Sequence, residues 1–264
     1  MNNRISNVKF LIKMLNLKNS KIAIAGLLTI ASASAIAGPP FVTDDPEPVE
    51  YQHSEIAYAL TMEHNQEGTA VEAPSIDINY GLLPDVQIHM QPKLTYEKTS
   101  THKHYGVDNL EVGIKYRFFN YHDQKVNWMV ATYPMLLLPT ADKTLNPDRR
   151  EIQTFLPIWV QRDSKDWSIY GGAGYRINQG NNTKNSYFVG ITALYHVADN
   201  LQLGGELFHE SPDQNNGKAS VGFNLGGKYD LSNHYHLLFS SGKGLVNIGS
   251  TNKLSAYLAI QSTF

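Results

Sequence analysis

From His53 to Phe264, apolar residues return at every second position in one segment after another. A period of two fits extended strands with one apolar and one polar face, and it does not fit helices. The segment around Leu110 is the clearest: Leu110, Val112, Ile114, Tyr116 and Phe118 interleave with Asn109, Glu111, Gly113, Lys115 and Arg117. The same alternation runs through His53 to His64, Val71 to Leu82, the stretch from Val86 through Glu97, Trp167 to Ile177, Tyr187 to Val197, Leu201 to His209, Ala219 to Tyr229 and Tyr235 to Ser241. It closes on Lys253 to Phe264, where Leu254, Ala256, Leu258 and Ile260 lead to the terminal Phe264. Two segments, about Val126 to Leu138 and Glu151 to Gln161, are blurred by Pro134 and Pro157; in the second, Ile152, Leu156, Ile158 and Val160 are expected outward, with Phe155 and Trp159 inward. The count is about twelve strands.

The connections sort by length. Leu83 to Asp85, Asn120 to Lys125, Arg162 to Asp166, Ala198 to Asn200 and Asp230 to His234 are short, whereas Pro139 to Arg150, Gln179 to Ser186, Ser211 to Lys218 and Gly242 to Asn252 are longer and polar. Short turns on one side, long loops on the other and an even strand count describe a bacterial outer-membrane barrel. Twelve strands enclose more space than side chains fill, since about eight already leave an interior just wide enough to pack. The polar face therefore belongs inside and the apolar face in lipid. The fold expected is all-β, a transmembrane antiparallel β-barrel whose last strand pairs with His53 to His64. Fifteen Tyr and 20 Gly suit interfacial girdles and turns.

Three regions follow: a signal peptide over 1–37, a Pro-rich acidic arm over 38–52 and the barrel over 53–264. In the first, Arg4, Lys9, Lys13, Lys18 and Lys21 precede the apolar run Ile22 to Ile36, which ends in Ala35, Ile36 and Ala37. That is the build of a cleaved secretory leader, with an uncleaved anchor as the alternative. The leader holds five of the 22 basic residues and none of the 24 acidic ones, which leaves 17 against 24 and a net charge near −7. Such a balance argues against nucleic acid as a partner. The arm cannot be a helix or a central strand, because Pro39, Pro40, Pro46 and Pro48 remove backbone donors. It is either a loosely docked leader to the first strand or a segment tucked into the barrel as a plug.

By parity the inward face carries Glu55, Asp77, His89, Lys93, Glu97, Glu111, Lys115, Arg117, Arg176, Glu206, Glu210, Lys228 and His236. Mixed charges across a narrow lumen set selectivity; alternatively, they pair with one another and fill the interior. No Gly-x-Ser-x-Gly elbow, nucleotide loop or cofactor motif is present, and there is no Cys, so no catalytic, cofactor or metal residue is assigned. His102 and His104 read as a solvated loop tip. The glycines within Gly171 to Gly174 and at Gly204, Gly205, Gly226 and Gly227 lie inside strands, where they permit curvature or stacking over a bare backbone.

Several stretches carry a resemblance: GPPFVTDDP from Gly38, GIKYRF from Gly113, FLPIW from Phe155, YGGAGY from Tyr170, GGELFH from Gly204, GFNLGG from Gly222 and HLLFS from His236. Together they resemble the bacterial outer-membrane transporter family labelled "Putative MetA-pathway of phenol degradation". The resemblance implies an outer-membrane barrel passing small solutes, with aromatic compounds among the candidates, and it brings no catalytic residues. The expected function is passive passage of small solutes through a polar charged lumen. The alternative is a closed structural or adhesion barrel acting through its extracellular loops. Expected partners are outer-membrane lipid, a small-molecule solute and the barrel-assembly machinery, whose C-terminal recognition signal the terminal Phe264 resembles.

Overall fold

The computed structural model describes residues 40–100, 102–143, 145 and 151–264. The expected leader and its cleavage point lie outside the described residues. Fifteen strand segments run β1 (Ser54–His64), β2 (Gly68–Leu83), β3 (Val86–Gln91), β4 (Lys93–Thr99), β5 (Lys103–Val107), β6 (Leu110–His122), β7 (Asn127–Thr132), β8 (Met135–Leu138), β9 (Gln153–Asp163) and β10 (Trp167–Ile177). They continue with β11 (Ser186–Ala198), β12 (Leu201–Glu210), β13 (Ser220–Asp230), β14 (Tyr235–Val246) and β15 (Leu254–Thr263).

Three crossings are each broken once. Pro92 separates β3 from β4, Asp108 and Asn109 separate β5 from β6, and Tyr133 and Pro134 separate β7 from β8. A proline cannot donate to the ladder, so the first and third breaks fall where the chain lacks an N–H. Counting each broken pair once gives twelve antiparallel crossings, as the alternation predicts.

Closure is made by β1, which pairs with β2 on one side and with β15 on the other, from Glu55 opposite Thr263 to His64 opposite Leu254. At the seam Ser54 N–H donates to Phe264 O at 3.0 Å, and Phe264 N–H donates to Ser54 O at 2.9 Å. No strand edge is left at the seam, which removes the hazard of a free amphipathic terminal strand.

The packing is inverted relative to a soluble protein. Ile114 is 53% exposed and its neighbour Lys115 3%; Ile158 is 54% exposed and Trp159 1%. Large apolar side chains line the outside of every wall, as a lipid-facing surface requires. Bulges adjust the pattern locally. One between Arg117 and Phe119 turns both Phe118 and Phe119 outward while leaving Arg117 within. The stretch read as a solvated tip is corrected, since Lys103–Val107 forms β5 against β4 and His104 Nε2 lies 3.8 Å from Asp142 Oδ2. The local sequence is polar at this rim because the strand extends beyond the apolar zone, and polarity alone does not separate a rim strand from a loop.

Candidate functional site

The described residues of the N-terminal arm, from Pro40 on, lie inside the barrel. From Pro40 its chain descends toward the end of the barrel that carries the short turns, and there it enters β1. Ser240 Oγ donates to Pro40 O at 2.5 Å. The backbone N–H groups of Val42 and Thr43 then donate to the two carboxylate oxygens of Glu206, at 2.9 and 2.8 Å. Asn224 Nδ2 donates to the same carboxylate at 2.6 Å. Consecutive N–H groups pointing one way are available because this segment has no ladder partner, and a buried carboxylate satisfies them with charge-assisted bonds.

Lower down, Lys115 Nζ sits 3.1 Å from Asp44 Oδ1, 3.6 Å from Asp45 Oδ1 and 3.3 Å from Glu47 O, with the Tyr133 ring 4.9 Å away. Val49 N–H donates to Gln87 Oε1 at 2.8 Å, and Gln52 N–H to Gly81 O at 2.8 Å. Phe41 packs with Tyr170 and Leu194 on the wall. Two glycines make room: a Cβ on Gly190 would strike the Thr43 hydroxyl, and one on Gly81 would strike the Glu50 carbonyl.

Burial changes the acids of the arm. Complete burial pushes the Asp45 carboxyl well above the usual range, and Lys115 offsets this only in part. Burial, reinforced by Asp163 and opposed by Arg117, raises Glu47 to about 8. Both carboxyls therefore hold a proton more readily inside the barrel than they would in water.

All thirteen charged residues named from parity sit on the side opposite the exposed apolar neighbours, and each is buried or half-buried. They form separate clusters at different heights. Near the short turns, Asp230 Oδ1 lies 3.4 Å from Lys228 Nζ and 2.6 Å from His236 Nδ1, while Arg117 reaches Asp85 at 2.6 Å. At mid-height, His89 lies between Asp77 at 3.0 Å and Glu111 at 3.3 Å, and Lys115 and Glu206 hold the arm. Toward the long loops, Lys93 pairs with Glu72 at 2.6 Å and Arg176 with Glu210 at 2.9 Å. Glu55 accepts from Gln261 Nε2 at 3.1 Å, and Glu97 stands opposite His104 on β5.

The interior is not polar throughout. Tyr133, Trp159, Phe188 and Phe208 form one cluster, with Met135 and Phe155 packed against it. Trp159 and Phe188 meet edge to face at 6.0 Å, Phe188 and Phe208 stack at 6.3 Å, and the Arg176 guanidinium lies 4.9 Å from the Phe155 ring centre. Phe155 covers Gly174 and Phe208 covers Gly222, so these glycines are the bare backbone on which the rings lie. The parity rule turns Phe155 and Trp159 inward but does not single out the patch, because large apolar residues on both faces of β9 and β11 weaken the alternation there.

Comparison with solved structures agrees with this architecture. An outer-membrane channel of Pseudomonas putida F1 superposes with a TM-score of 0.68 at 13% identity, covering 83% of this chain and 98% of its own. The KdgM porin superposes at 0.51 with 10% identity, covering 80% and 99%, and the NanC porin at 0.50 with 11% identity, covering 80% and 98%. At such identities the likeness is one of fold, that of outer-membrane barrels, and the protein is an outer-membrane protein. No curated protein matches the chain by sequence. The family model described as "Putative MetA-pathway of phenol degradation" matches residues 55–255, and the chain belongs to that family.

Proposed function

We propose that the protein is an outer-membrane channel for small solutes, exported with a cleaved leader over 1–37, in which residues 38–52 act as an internal gate. The observation that carries this reading is the seating of the arm on Glu206 and Lys115. A segment held by two side-chain clusters and three backbone contacts has a defined closed position and a defined set of bonds to break. The paired charges line the path that opens when the arm leaves, and Arg176 and Glu210 stand near its outer mouth. The patch of Phe155, Trp159, Phe188 and Phe208 offers ring faces to flat apolar solutes, which supports aromatic compounds as cargo. The KdgM porin, of similar fold, is known in complex with oligogalacturonate, which supports a small-solute role for a barrel of this kind. The ladder between β10 and β11 is continuous from Trp167 to Arg176, which favours axial passage over sideways release through that wall.

Planar-bilayer recording tests the proposal. The intact protein should show small or infrequent conductance steps, and deletion of 38–50 should enlarge them or make them frequent. Equal conductance in the two proteins would remove the gate. Absence of conductance in both would favour the closed structural barrel, a reading that the density of interior ion pairs also supports.

A further inference from the structure

The outer face of the barrel carries a groove of about 980 Å³ over β10. Its floor is Gly171 and Ala173, the outward positions between Ile169 and Tyr175. Its walls rise on both sides: Leu156, Ile158 and Val160 on β9, and Tyr187, Val189 and Ile191 on β11. From Ile169 to Tyr175 is six steps of ~3.3 Å, about 20 Å along the strand. At the tilt of an outer-membrane strand this is ~15 Å of depth, half of the ~30 Å hydrocarbon core. The groove is thus as long as one leaflet is thick.

Its end near the short turns is marked by charge. Arg162 stands opposite Trp128 on β7 and Ile169 on β10, with its guanidinium 5.9 Å from the Trp128 ring centre. It is the single charged residue among the described outward strand positions at that end of the barrel, and no carboxylate of the described residues pairs with it. An unpaired guanidinium at the interface, beside an aromatic ring and at the mouth of an apolar groove one leaflet long, matches a phosphate headgroup with an attached acyl chain.

We propose that this groove is a binding site for one anionic phospholipid of the leaflet on the short-turn side, its phosphate on Arg162 and an acyl chain along Gly171 and Ala173. Native mass spectrometry of the purified full-length barrel with added phosphatidylglycerol tests it, with the gel shift between unboiled and boiled protein as the control for folding. The wild type should retain one phosphatidylglycerol, and should release phosphatidylcholine, added in its place, at lower energy. Arg162→Gln should reduce retention roughly fivefold. Ala173→Phe, which fills the floor from an exposed position, should reduce it while leaving the gel shift intact. Retention unchanged in both folded variants overturns the proposal. So does displacement of the lipid by millimolar inorganic phosphate, which would mark a site for the free ion. A dimer peak in place of the lipid adduct would also overturn it, by assigning the groove to a second copy of the chain.

Discussion

Replacing Glu206 by glutamine tests the grip of the wall on the arm. The carboxylate accepts from Val42 N–H on one oxygen and from Thr43 N–H on the other, with Asn224 Nδ2 as third donor. A glutamine keeps one acceptor and presents an NH2 group to a backbone N–H. One charge-assisted bond of ~1.5–3 kcal/mol is lost, and the remaining one falls to neutral strength of about 1 kcal/mol. Because the site is buried, water does not replace the missing acceptor cheaply. The net weakening is ~2–5 kcal/mol, which shifts the docked population roughly 30- to 4,000-fold. Hydrogen exchange on the barrel in lipid nanodiscs reads this directly. The Val42 and Thr43 amides should exchange faster by about that factor, while strand amides such as those of β10 and β11 serve as an internal control. Conductance should rise in the same variant, so Glu206→Gln should imitate deletion of the arm in part. If the two amides remain as protected as in the wild type while the barrel is folded, the carboxylate does not hold the arm and the reasoning fails.

Docking should weaken as pH rises. Glu47 titrates at about 8 in place against a released value near the usual ~4.3, so docking takes up a proton between those limits. Its contribution is complete below the lower value, declines by ~1.4 kcal/mol per pH unit and is lost above the upper one; Asp45 adds in the same direction. The groups facing these two acids are Asp163, Arg117, Glu55, Lys115 and Asp44. Open probability should therefore increase from pH 6 to pH 9, and Glu47→Gln should flatten the profile; a profile identical in that variant refutes the assignment. Gly190→Ala should push Thr43 off the wall and raise conductance, with Thr43→Ala restoring the closed state in the double variant, as a bilayer recording would show. Phe264→Ser removes an exposed side chain but leaves the backbone bonds to Ser54, so membrane yield should fall several-fold while the heat stability of the assembled fraction stays within about 1 kcal/mol of wild type. Normal yield would show that the terminal ring is not an assembly signal.

The walls were legible because a strand exposes its register directly. Where Leu110 to Phe118 alternates cleanly, one residue fixes the side of all the others, and Lys115 and Arg117 lie inside as that rule requires. Even the blurred segment from Glu151 to Gln161 places Leu156, Ile158 and Val160 outside and Trp159 within. The strand ends were harder, since β2 begins at Gly68 and β14 runs to Val246, where Gly68, Gly242 and Gly244 interrupt the alternation. The destination of the arm was hidden for a different reason. Its contacts use backbone donors and acceptors, as Val42 and Thr43 do with Glu206, and side-chain pattern does not encode such bonds. A trace existed in Asp44 and Asp45, two acids beside prolines in a segment with no strand pattern, facing a chain with an inward lysine at Lys115.

The arm enters β1 through a short connection, Tyr51, Gln52 and His53, pinned at Gly81. A plug on so short a tether is never lost to the surroundings. After release its local concentration stays on the order of millimolar, so reclosing is a first-order event whose rate does not depend on how much protein the membrane contains. A solute that occupies the Glu206 and Lys115 positions competes with a permanent intramolecular rival. For flux to persist, the concentration of the solute relative to its dissociation constant must exceed that local concentration relative to the dissociation constant of the arm, so the length of the tether sets a threshold for cargo.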